Sequence, residues 1–411
     1  MADILALHDQ LEQTSNPVAP LALIVLPSAQ SLGEKINKWI SYFRLGDHNE
    51  HRDDPTYEGY YEQDYRLSVS IPRFATGESY AVLVDSARGK DVYILVDVTN
   101  HSITYDMYGF VNHMSPDDHF QDLKRVIAAL NGKAHRITVI MPFLYEGRQH
   151  NRTGRESLDA AIMYKELCDI GINNFITFDA HDPRIQNVSP LIDFNSFTTP
   201  YQFLKSLMHS VDDLIVDKDH IVVISPDEGA LDRAVYFATV IGADTGMFYK
   251  RRDYSVIVGG KNPIVAHEFL GTDLNGKDAI IIDDMISSGG SILDTSRQLK
   301  ENMHAKRVFL CTTFGLFTDS LEVFDQAYEK GYFDKLVTTN LTYQPPELME
   351  REWFEVADMS KYAAMIIDFI NHDISLSSTR TPTEKIHKIL AKINRHEQTE
   401  FEEMQLEQTE F

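Results

Sequence analysis

The residues best suited to chemistry lie in one segment, where two carboxylates precede a loop of small residues. Asp283 and Asp284 follow the apolar run Ala279–Ile282, and the loop Ser287–Ser291 comes next. Glycines let the backbone approach an anion closely, and N–H groups at a helix start point at it. The carboxylates can accept hydrogen bonds from vicinal sugar hydroxyls or hold Mg²⁺ through water. This order of features favours a sugar-phosphate site over an ordinary strand-to-helix turn capped by Asp and Ser.

A second group of polar residues follows another predicted strand. Arg148 and Gln149 follow the segment 142–145 after two intervening residues, and Arg152 and Arg155 come next in the same loop. Guanidinium groups bind phosphate oxygens in a bidentate manner, so this loop suits a polyphosphate. A solvated basic loop explains the charge alone equally well.

Two more residues and one cationic run could take part in phosphate chemistry. His181 lies beside a predicted strand end and could ligate a metal or contact a nucleotide phosphate, although a capping or core histidine is the commoner role. Asp227 follows the strand that ends in Ser225-Pro226. Lys250, Arg251 and Arg252 form a cationic run, which by itself would be interpreted as a solvated surface.

These residues depend on a series of short apolar runs that alternate with amphipathic segments. This alternation predicts parallel sheets with helical crossovers. The predicted strands are Leu21–Leu26, Ser68–Ile71, Val92–Val96, Ile137–Met141, Asn174–Phe178, His220–Ile224, Ala279–Ile282 and Val308–Thr312. The predicted helices are Ser31–Arg44, Phe120–Leu130, Ser157–Cys168, Ala230–Thr239 and Ser291–Glu301. An apolar helical pattern also runs through Val356–Ile370.

The composition limits the class of protein. The chain has 411 residues, which suggests two or three domains, and 43% of them are hydrophobic, which excludes wholesale disorder. Its 38 Lys and Arg against 62 Asp and Glu give a net charge of −24. This balance argues against a general nucleic-acid binder, because phosphate backbones need clustered cations. A small anionic substrate needs only local positive charge and stays possible.

Cysteine usage and the N-terminal residues predict a cytoplasmic protein. Cys168 and Cys311 are the only cysteines, too few for a disulfide framework, and we expect two buried free thiols, a single bridge between them being the alternative. No Lys or Arg precedes Lys35, so a signal peptide would lack its basic start. The apolar stretch Leu21–Leu26 is too short to span a bilayer, and we expect no membrane partner.

Two acidic segments stand apart from the predicted domains. The segment 46–64 carries seven carboxylates and one arginine and is interpreted as a surface insertion. The segment 395–411 is rich in Glu and Gln and is interpreted as a solvated tail or frayed helix, an interaction tail being the alternative. Together they hold −11 of the net charge, −6 and −5 respectively.

In their order along the chain these motifs resemble those of the ribose-phosphate pyrophosphokinase family. The matching pieces are Phe74-Ala-Thr-Gly-Glu78, Tyr145 to Gln149, Asp179-Ala-His181 with Arg184-Ile-Gln186, Ser225-Pro-Asp-Glu-Gly229, Lys250-Arg-Arg252 and the loop after Asp283. The resemblance runs from about residue 20 to about residue 373. Plain type I phosphoribosyltransferases share the last loop but lack the first half.

The resemblance implies a fold class and a reaction. The fold is α/β, with two tandem type I phosphoribosyltransferase-like domains, each a mostly parallel sheet flanked by helices. We expect an ATP-side domain over 1–200, a ribose-phosphate domain over 201–372 whose last helix packs on the first domain, and a charged tail over 373–411. The implied reaction transfers the β,γ-diphosphoryl group of ATP to the 1-hydroxyl of ribose 5-phosphate, with Mg²⁺ as cofactor and inorganic phosphate as a candidate activator. Family members assemble as dimers and hexamers, so we expect a homo-oligomer.

The resemblance also assigns roles residue by residue. Lys250 and Arg252 match mobile-loop cations that act on the transferring phosphates. The ATP-side positions are Thr76, Gly77, Glu78, Arg148 and Gln149. The Mg²⁺-linked positions are His181 and Asp227. The ribose 5-phosphate positions are Arg252, Asp283, Asp284, Ser287, Ser288, Gly289, Gly290 and Ser291.

Several positions depart from the family pattern and indicate a divergent branch. Thr76 stands where an acidic or amide residue is usual, and His150 replaces an aspartate. Ser287 replaces an acidic residue, which makes that loop resemble a transferase more closely. Two alternatives therefore stay open: a non-catalytic regulatory homologue, and a phosphoribosyltransferase. Retention of Lys250 and Arg252 argues against the first, and the unexplained N-terminal half argues against the second.

Overall fold

The computed structural model describes residues 16–50, 60–252, 264–377 and 383–391. The chain divides into two compact units. Unit 1 comprises Met1–Thr198, Thr339–Gln344 and Asp358–Arg380, and unit 2 comprises Thr199–Thr338, Pro345–Ala357 and Thr381–Phe411. Unit 1 is thus assembled from three separate stretches of sequence, so the chain leaves it and returns twice.

Unit 1 is built on a five-stranded parallel sheet in the order β1-β4-β7-β8-β9. Two hairpins, β2–β3 and β5–β6, accompany it. Its strands are β1 Leu21–Val25, β2 Val69–Ser70, β3 Val82–Leu83, β4 Asp91–Leu95, β5 Thr104–Met107, β6 Phe110–His113, β7 Arg136–Ile140, β8 Asn174–Phe178 and β9 Asp193–Phe197. Its helices are α1 Gln30–Glu50, α2 Pro116–Leu130, α3 Asp159–Asp169 and α8 Ser360–Asn371.

Unit 2 is built on a seven-stranded mixed sheet in the order β12-β11-β10-β13-β14-β15-β16, in which β11 and β12 are antiparallel. Its strands are β10 Ile221–Ser225, β11 Asp244–Arg252, β12 Ile264–Leu270, β13 Asp278–Ile286, β14 Arg307–Gly315, β15 Lys335–Thr339 and β16 Phe354–Ala357. Its helices are α4 Pro200–Ser210, α5 Leu231–Ile241, α6 Gly290–Glu301, α7 Glu322–Glu329 and a further helix over 383–391.

The central strands are buried on both faces, as their nearly continuous apolar sequences require. In β10, Val222 and Ile224 pack into one hydrophobic cluster, whereas Ile221 and Val223 pack into another. Because successive side chains point to opposite faces of a strand, the two clusters lie on the two faces of the sheet. In unit 1, all five residues of β4 are likewise buried.

A buried polar network joins α8 to the rest of unit 1. The Arg44 guanidinium of α1 is 1% exposed and ion-pairs with Asp368 at 2.6 Å. It also donates to Asn371 Oδ1 at 2.6 Å and lies 4.5 Å from the Tyr60 ring centre. The Asn371 amide in turn donates to the buried Asp91 of β4. Every strongly polar group in this network therefore meets a partner, as burial demands.

The structure differs from the sequence-based expectation in three segments and in the burial of one cysteine. Helix α1 continues through 46–50 and Tyr60 is buried, so 46–64 is not wholly a surface insertion; 51–59 lie outside the described residues. Within the expected tail, 383–391 are helical and Ile386 is fully buried, while 395–411 lie outside the described residues. The expected Val356–Ile370 helix begins only at Ser360, because 354–357 form β16. Both cysteines are free, but only Cys311 is buried.

Candidate functional site

The order of strands in unit 2 creates a crevice beside the acidic residues. From β10 the chain proceeds to β11 on one side and then returns to β13 on the other. Ligands of open α/β sheets bind at such a switch point, outside the carboxyl ends of the strands. Asp227 follows β10, and Asp283 and Asp284 lie near the end of β13, so these three carboxylates share that edge.

The carboxylates of Asp227, Asp283 and Asp284 repel one another, and Asp283 is largely buried. Burial raises the pKa of Asp283 to about 8, and the charges of Asp284 and Asp227 add to the rise. Two features oppose it: the Asp284 N–H donates to Asp283 Oδ1 at 2.8 Å, and Arg233 attracts the charged form. Asp227 Oδ1 accepts the N–H of Gly229 at 3.0 Å. Carboxylates that are crowded together and partly buried attract cations or hydrogen-bond donors, such as sugar hydroxyls.

Replacing Asp283 with Asn should stabilise the protein in a pH-dependent way. The raised folded-state pKa of Asp283 means that the native state holds a proton that the unfolded chain releases above its ordinary pKa of 3.8. The contribution of protonated Asp283 to the free energy of unfolding of the wild type is therefore lost as pH rises from about 4 to about 8. The melting-temperature advantage of Asp283→Asn, measured without divalent cations, should grow across this interval and then level off. An advantage that is constant with pH would contradict the raised pKa.

The loop after β13 forms an anion cradle at the start of α6. Gly289 caps the helix at φ +87°, and Gly290 and Ser291 form its first turn. The first N–H groups of a helix have no partner within the helix, so they can donate to an anion. The loop is held by the Thr318 N–H, which donates to the Ser287 carbonyl at 3.0 Å, and Ser288 is exposed. The structure thus brings every predicted position from 283 to 291 to one edge.

Glycine is required at position 289 for two reasons. A Cβ there would lie 2.2 Å from Phe324 Cζ, and the φ of +87° is unfavourable for any residue with a side chain. Gly289→Ala should weaken the calorimetric binding of ribose 5-phosphate, the ligand that the sequence resemblance predicts, at least about tenfold, since shifting the loop would cost hydrogen bonds to a phosphate. Gly276→Ala is the matched control, because Gly276 has φ +75° but nothing within 4 Å of its Cβ. Equal losses of ribose 5-phosphate affinity in the two variants would show that the conformation of the loop at Gly289 does not matter.

The cationic run occupies the end of β11 rather than the flexible loop expected from the sequence. The backbones of Lys250, Arg251 and Arg252 pair with β12 in an antiparallel ladder, with a register shift between Arg251 and Arg252. The antiparallel pairing extends the strand, because β12 supplies hydrogen-bond partners for this end of β11. The segment 253–263 lies outside the described residues.

In unit 1, two predicted groups meet at the carboxyl ends of the neighbouring strands β7 and β8. Arg148 is exposed in the loop after β7. Gln149 fixes the path of this loop, since its amide donates to the carbonyls of Asn151 at 3.2 Å and Ser157 at 3.0 Å. His181 follows β8, and its ring centre lies 5.4 Å from that of His150. An exposed cation and two imidazoles can together contact a chain of phosphates.

The third predicted group lies in a separate hairpin between β2 and β3. Gly77 turns this hairpin at φ +94°, and its N–H donates to the Phe74 carbonyl at 2.8 Å. Thr76 Oγ1 donates to Glu78 Oε2 at 3.0 Å on the surface. Arg73 holds the hairpin by donating to the Gly77 carbonyl at 2.9 Å. The three residues Thr76–Glu78 therefore form one local unit.

Sequence reasoning missed Asp182, which the structure places beside both histidines. It caps a short helical turn that begins at Pro183, and the backbone N–H and side chain of Arg184 both donate to it. These bonds from Arg184 hold the pKa of Asp182 down to about 2, so it is an ionised acceptor. The sequence Asp-Pro at 182–183 was the available signal, because Asp before a Pro-initiated turn is a typical cap.

Two features are absent from the described parts of the chain. No helix there is long and apolar enough to cross a membrane. No cluster of three or more His, Cys, Asp or Glu side chains in those parts could ligate a metal ion.

Comparison with known proteins gives matches in both units. Residues 21–171 match the family model described as the N-terminal domain of ribose phosphate pyrophosphokinase. Residues 202–350 match the phosphoribosyl transferase domain model. These two matches cover Thr76–Glu78, Arg148 and Gln149 of unit 1 and the anion cradle of unit 2, whereas His181 and Asp182 lie between the two matched ranges.

Curated relatives and a solved structure agree with the family models. The ribose-phosphate pyrophosphokinase of Mycoplasma genitalium is 30% identical over 302 residues, covering 72% of this chain and 82% of that protein. The enzyme of the same name from Mycoplasma pneumoniae is 28% identical over 317 residues, covering 76% and 88%. Phosphoribosylpyrophosphate synthetase from Mycobacterium smegmatis superposes with a TM-score of 0.65 at 20% identity, covering 86% of this chain and 99% of that one. That structural likeness supports the tandem α/β fold.

Proposed function

Because this chain belongs to the ribose-phosphate pyrophosphokinase family, we propose that it is an active diphosphokinase that makes phosphoribosyl pyrophosphate. Its substrates are ATP and ribose 5-phosphate, and its second product is AMP. The observation that carries the proposal is the occurrence on one chain of the anion cradle after β13 and a second α/β unit that matches the N-terminal domain of pyrophosphokinases. A plain phosphoribosyltransferase accounts for the cradle but not for that second unit.

The sugar side of the reaction is assigned to unit 2. The 5-phosphate accepts hydrogen bonds from the N–H groups of the 287–291 loop, and Asp283 and Asp284 accept them from the ribose hydroxyls. The 1-hydroxyl oxygen attacks the β-phosphorus of ATP and forms a new P–O bond. The bond from that phosphorus to the α,β-bridging oxygen breaks, AMP leaves with this oxygen, and the hydroxyl proton is released.

The nucleotide side is assigned to unit 1. Arg148 and Gln149 contact the ATP, His181 contacts its phosphates, and Thr76, Gly77 and Glu78 contact its adenine. Lys250 and Arg252, which belong to β11 of unit 2, neutralise negative charge that grows on the transferring diphosphoryl group. Because the phosphoryl group carries out most of its own chemistry, the protein contributes positioning and electrostatic stabilisation.

The donor atoms present fit a magnesium ion. Mg²⁺ usually retains several waters and binds through one or two carboxylates together with substrate phosphates, so it does not need a preformed cluster of three side chains. The mutual repulsion of Asp227, Asp283 and Asp284 is the condition that a divalent cation relieves. From the resemblance we assign a Mg²⁺ contact to Asp227 in unit 2 and, separately, one to His181 in unit 1. When bound, the ion would offset the negative charge of the phosphates.

A direct assay tests the proposal. Purified protein with ATP, ribose 5-phosphate and Mg²⁺ should form AMP and phosphoribosyl pyrophosphate in equal amounts, with added inorganic phosphate varied as a candidate activator. Absence of AMP from well-folded protein at every phosphate concentration, with calorimetric binding of nucleotide, would establish a non-catalytic homologue instead. Pyrophosphate-dependent breakdown of a nucleotide would favour a phosphoribosyltransferase. Light scattering on the same sample tests the proposed dimer-based homo-oligomer.

A further inference from the structure

His150 is the residue of the β7 loop with the most unusual surroundings. Its ring lies beside that of His181, with 5.4 Å between ring centres and 58° between planes. On its other side, Nε2 lies 3.4 Å from Asp182 Oδ2. The imidazole thus occupies the space between a carboxylate and the histidine that the proposed function assigns to the nucleotide.

Asp182 is a rigid anchor for this imidazole. The carboxylate is 9% exposed, and Arg184 binds it through the backbone N–H and Nε, both at 2.9 Å from Oδ1, and through Nη2 to Oδ2. A carboxylate held at three points has little freedom to move. It can therefore orient the His150 ring, whose Nε2 lies within ion-pair distance of it, as outer carboxylates do for metal-binding histidines.

The other ring nitrogen of His150 shows that the cluster is incomplete. With the proton on Nε2, Nδ1 is a hydrogen-bond acceptor. This atom is buried, and the described residues offer it no hydrogen-bond partner. A buried acceptor without a partner is uncommon in proteins and is typical of a site that bound water or substrate completes.

We propose that His150 is a positioning residue, which Asp182 holds and which in turn fixes the ring of His181 for binding the magnesium–nucleotide substrate. This inference rests on the proposed function, since the role of His181 comes from there. It predicts that His150 matters for nucleotide affinity and not for ribose 5-phosphate affinity.

Calorimetric binding of α,β-methylene-ATP with Mg²⁺ tests this role without turnover, since the analogue lacks the oxygen bridge that breaks. His150→Ala should weaken binding about tenfold or more, the usual cost of losing an outer partner of a metal-linked histidine. His150→Gln should recover most of the affinity, because its amide can still donate to Asp182. Ribose 5-phosphate affinity and melting temperature should stay at wild-type values in both variants.

The matched control is His220→Ala, which removes another His–Asp pair, with Nδ1 2.8 Å from Asp217 on the surface of unit 2. It should leave nucleotide affinity unchanged. If wild-type protein forms AMP and His150→Ala binds the analogue as tightly as wild type, this inference is wrong and the proposed function survives. If His150→Ala weakens analogue binding in a protein that forms no AMP, the positioning role stands and the catalytic proposal fails. Absence of both binding and AMP would overturn both.

Discussion

Arg44→Met should lower the free energy of unfolding of unit 1 by about 3–5 kcal/mol, the usual cost of removing one member of a buried ion pair. Arg44 and Asp368 are both essentially inaccessible, at 1% and 0% exposure, and are 2.6 Å apart. Without the guanidinium, the Asp368 carboxylate is left buried beside His372, and Asn371 loses a donor. The change is large because an unmatched buried charge has lost its hydration without replacement.

The two tryptophans allow this loss to be measured in unit 1 alone. Trp39 lies in α1 and Trp353 is buried in unit 2, so fluorescence in a Trp353→Phe background reports on unit 1. Lys35→Met is the control, because Lys35 pairs with Asp358 at 3.1 Å with both side chains 49% exposed, and such pairs contribute about 0–1 kcal/mol. Combining Arg44→Met with Asp368→Leu should restore part of the stability. Similar losses for Lys35→Met and Arg44→Met would contradict the argument from burial.

Lys250→Ala should lower kcat by about a hundredfold to a thousandfold, as loss of one transition-state donor does in other enzymes. The KM for ATP should change much less. The reason is that a charge acting on the transferring phosphates interacts most strongly when negative charge grows on them. Initial rates of AMP formation over a range of both substrates separate the two constants.

Arg251→Ala provides the control for charge, because it removes a cation from the adjacent position of the same strand. It should affect kcat far less than Lys250→Ala does. A Lys250→Ala enzyme with wild-type kcat and a raised KM would assign this lysine to ground-state binding. Equal losses for both variants would indicate that only the total charge of the run matters.

The central strands were the most predictable part of the fold. The strand predicted at Asn174–Phe178 has those bounds in the structure, because four consecutive apolar or β-branched residues after Asn174 end at an Asp. The strand Asp193–Phe197 was missed, since its Asp and Asn are poor strand formers and only its pairing with β8 makes it a strand. The helix over 383–391 was also missed, because a charged sequence conceals the apolar residues Ile386 and Leu390 that pack against the core.

The candidate site was predictable where its residues are neighbours in sequence. The 283–291 loop could be found because the strand, the carboxylates, the glycines and the helix follow one another directly. The contact of His150 with Asp182 could not, because it joins loops after two different strands and depends on their register in the sheet. The roles assigned to His181, Asp227 and Lys250 stay predictions.

The discontinuity of unit 1 also sets an order of events during synthesis. Asp368 leaves the ribosome 324 residues after Arg44, a delay of roughly 15–65 s at about 5–20 residues per second. Until then the Arg44 guanidinium has no matching carboxylate, and α1 lacks the helix that covers it. Most of unit 2, Thr199–Thr338, is complete before that moment. Most of the second unit can therefore fold before the first unit is complete, whereas translation-coupled folding usually begins with the N-terminal domain.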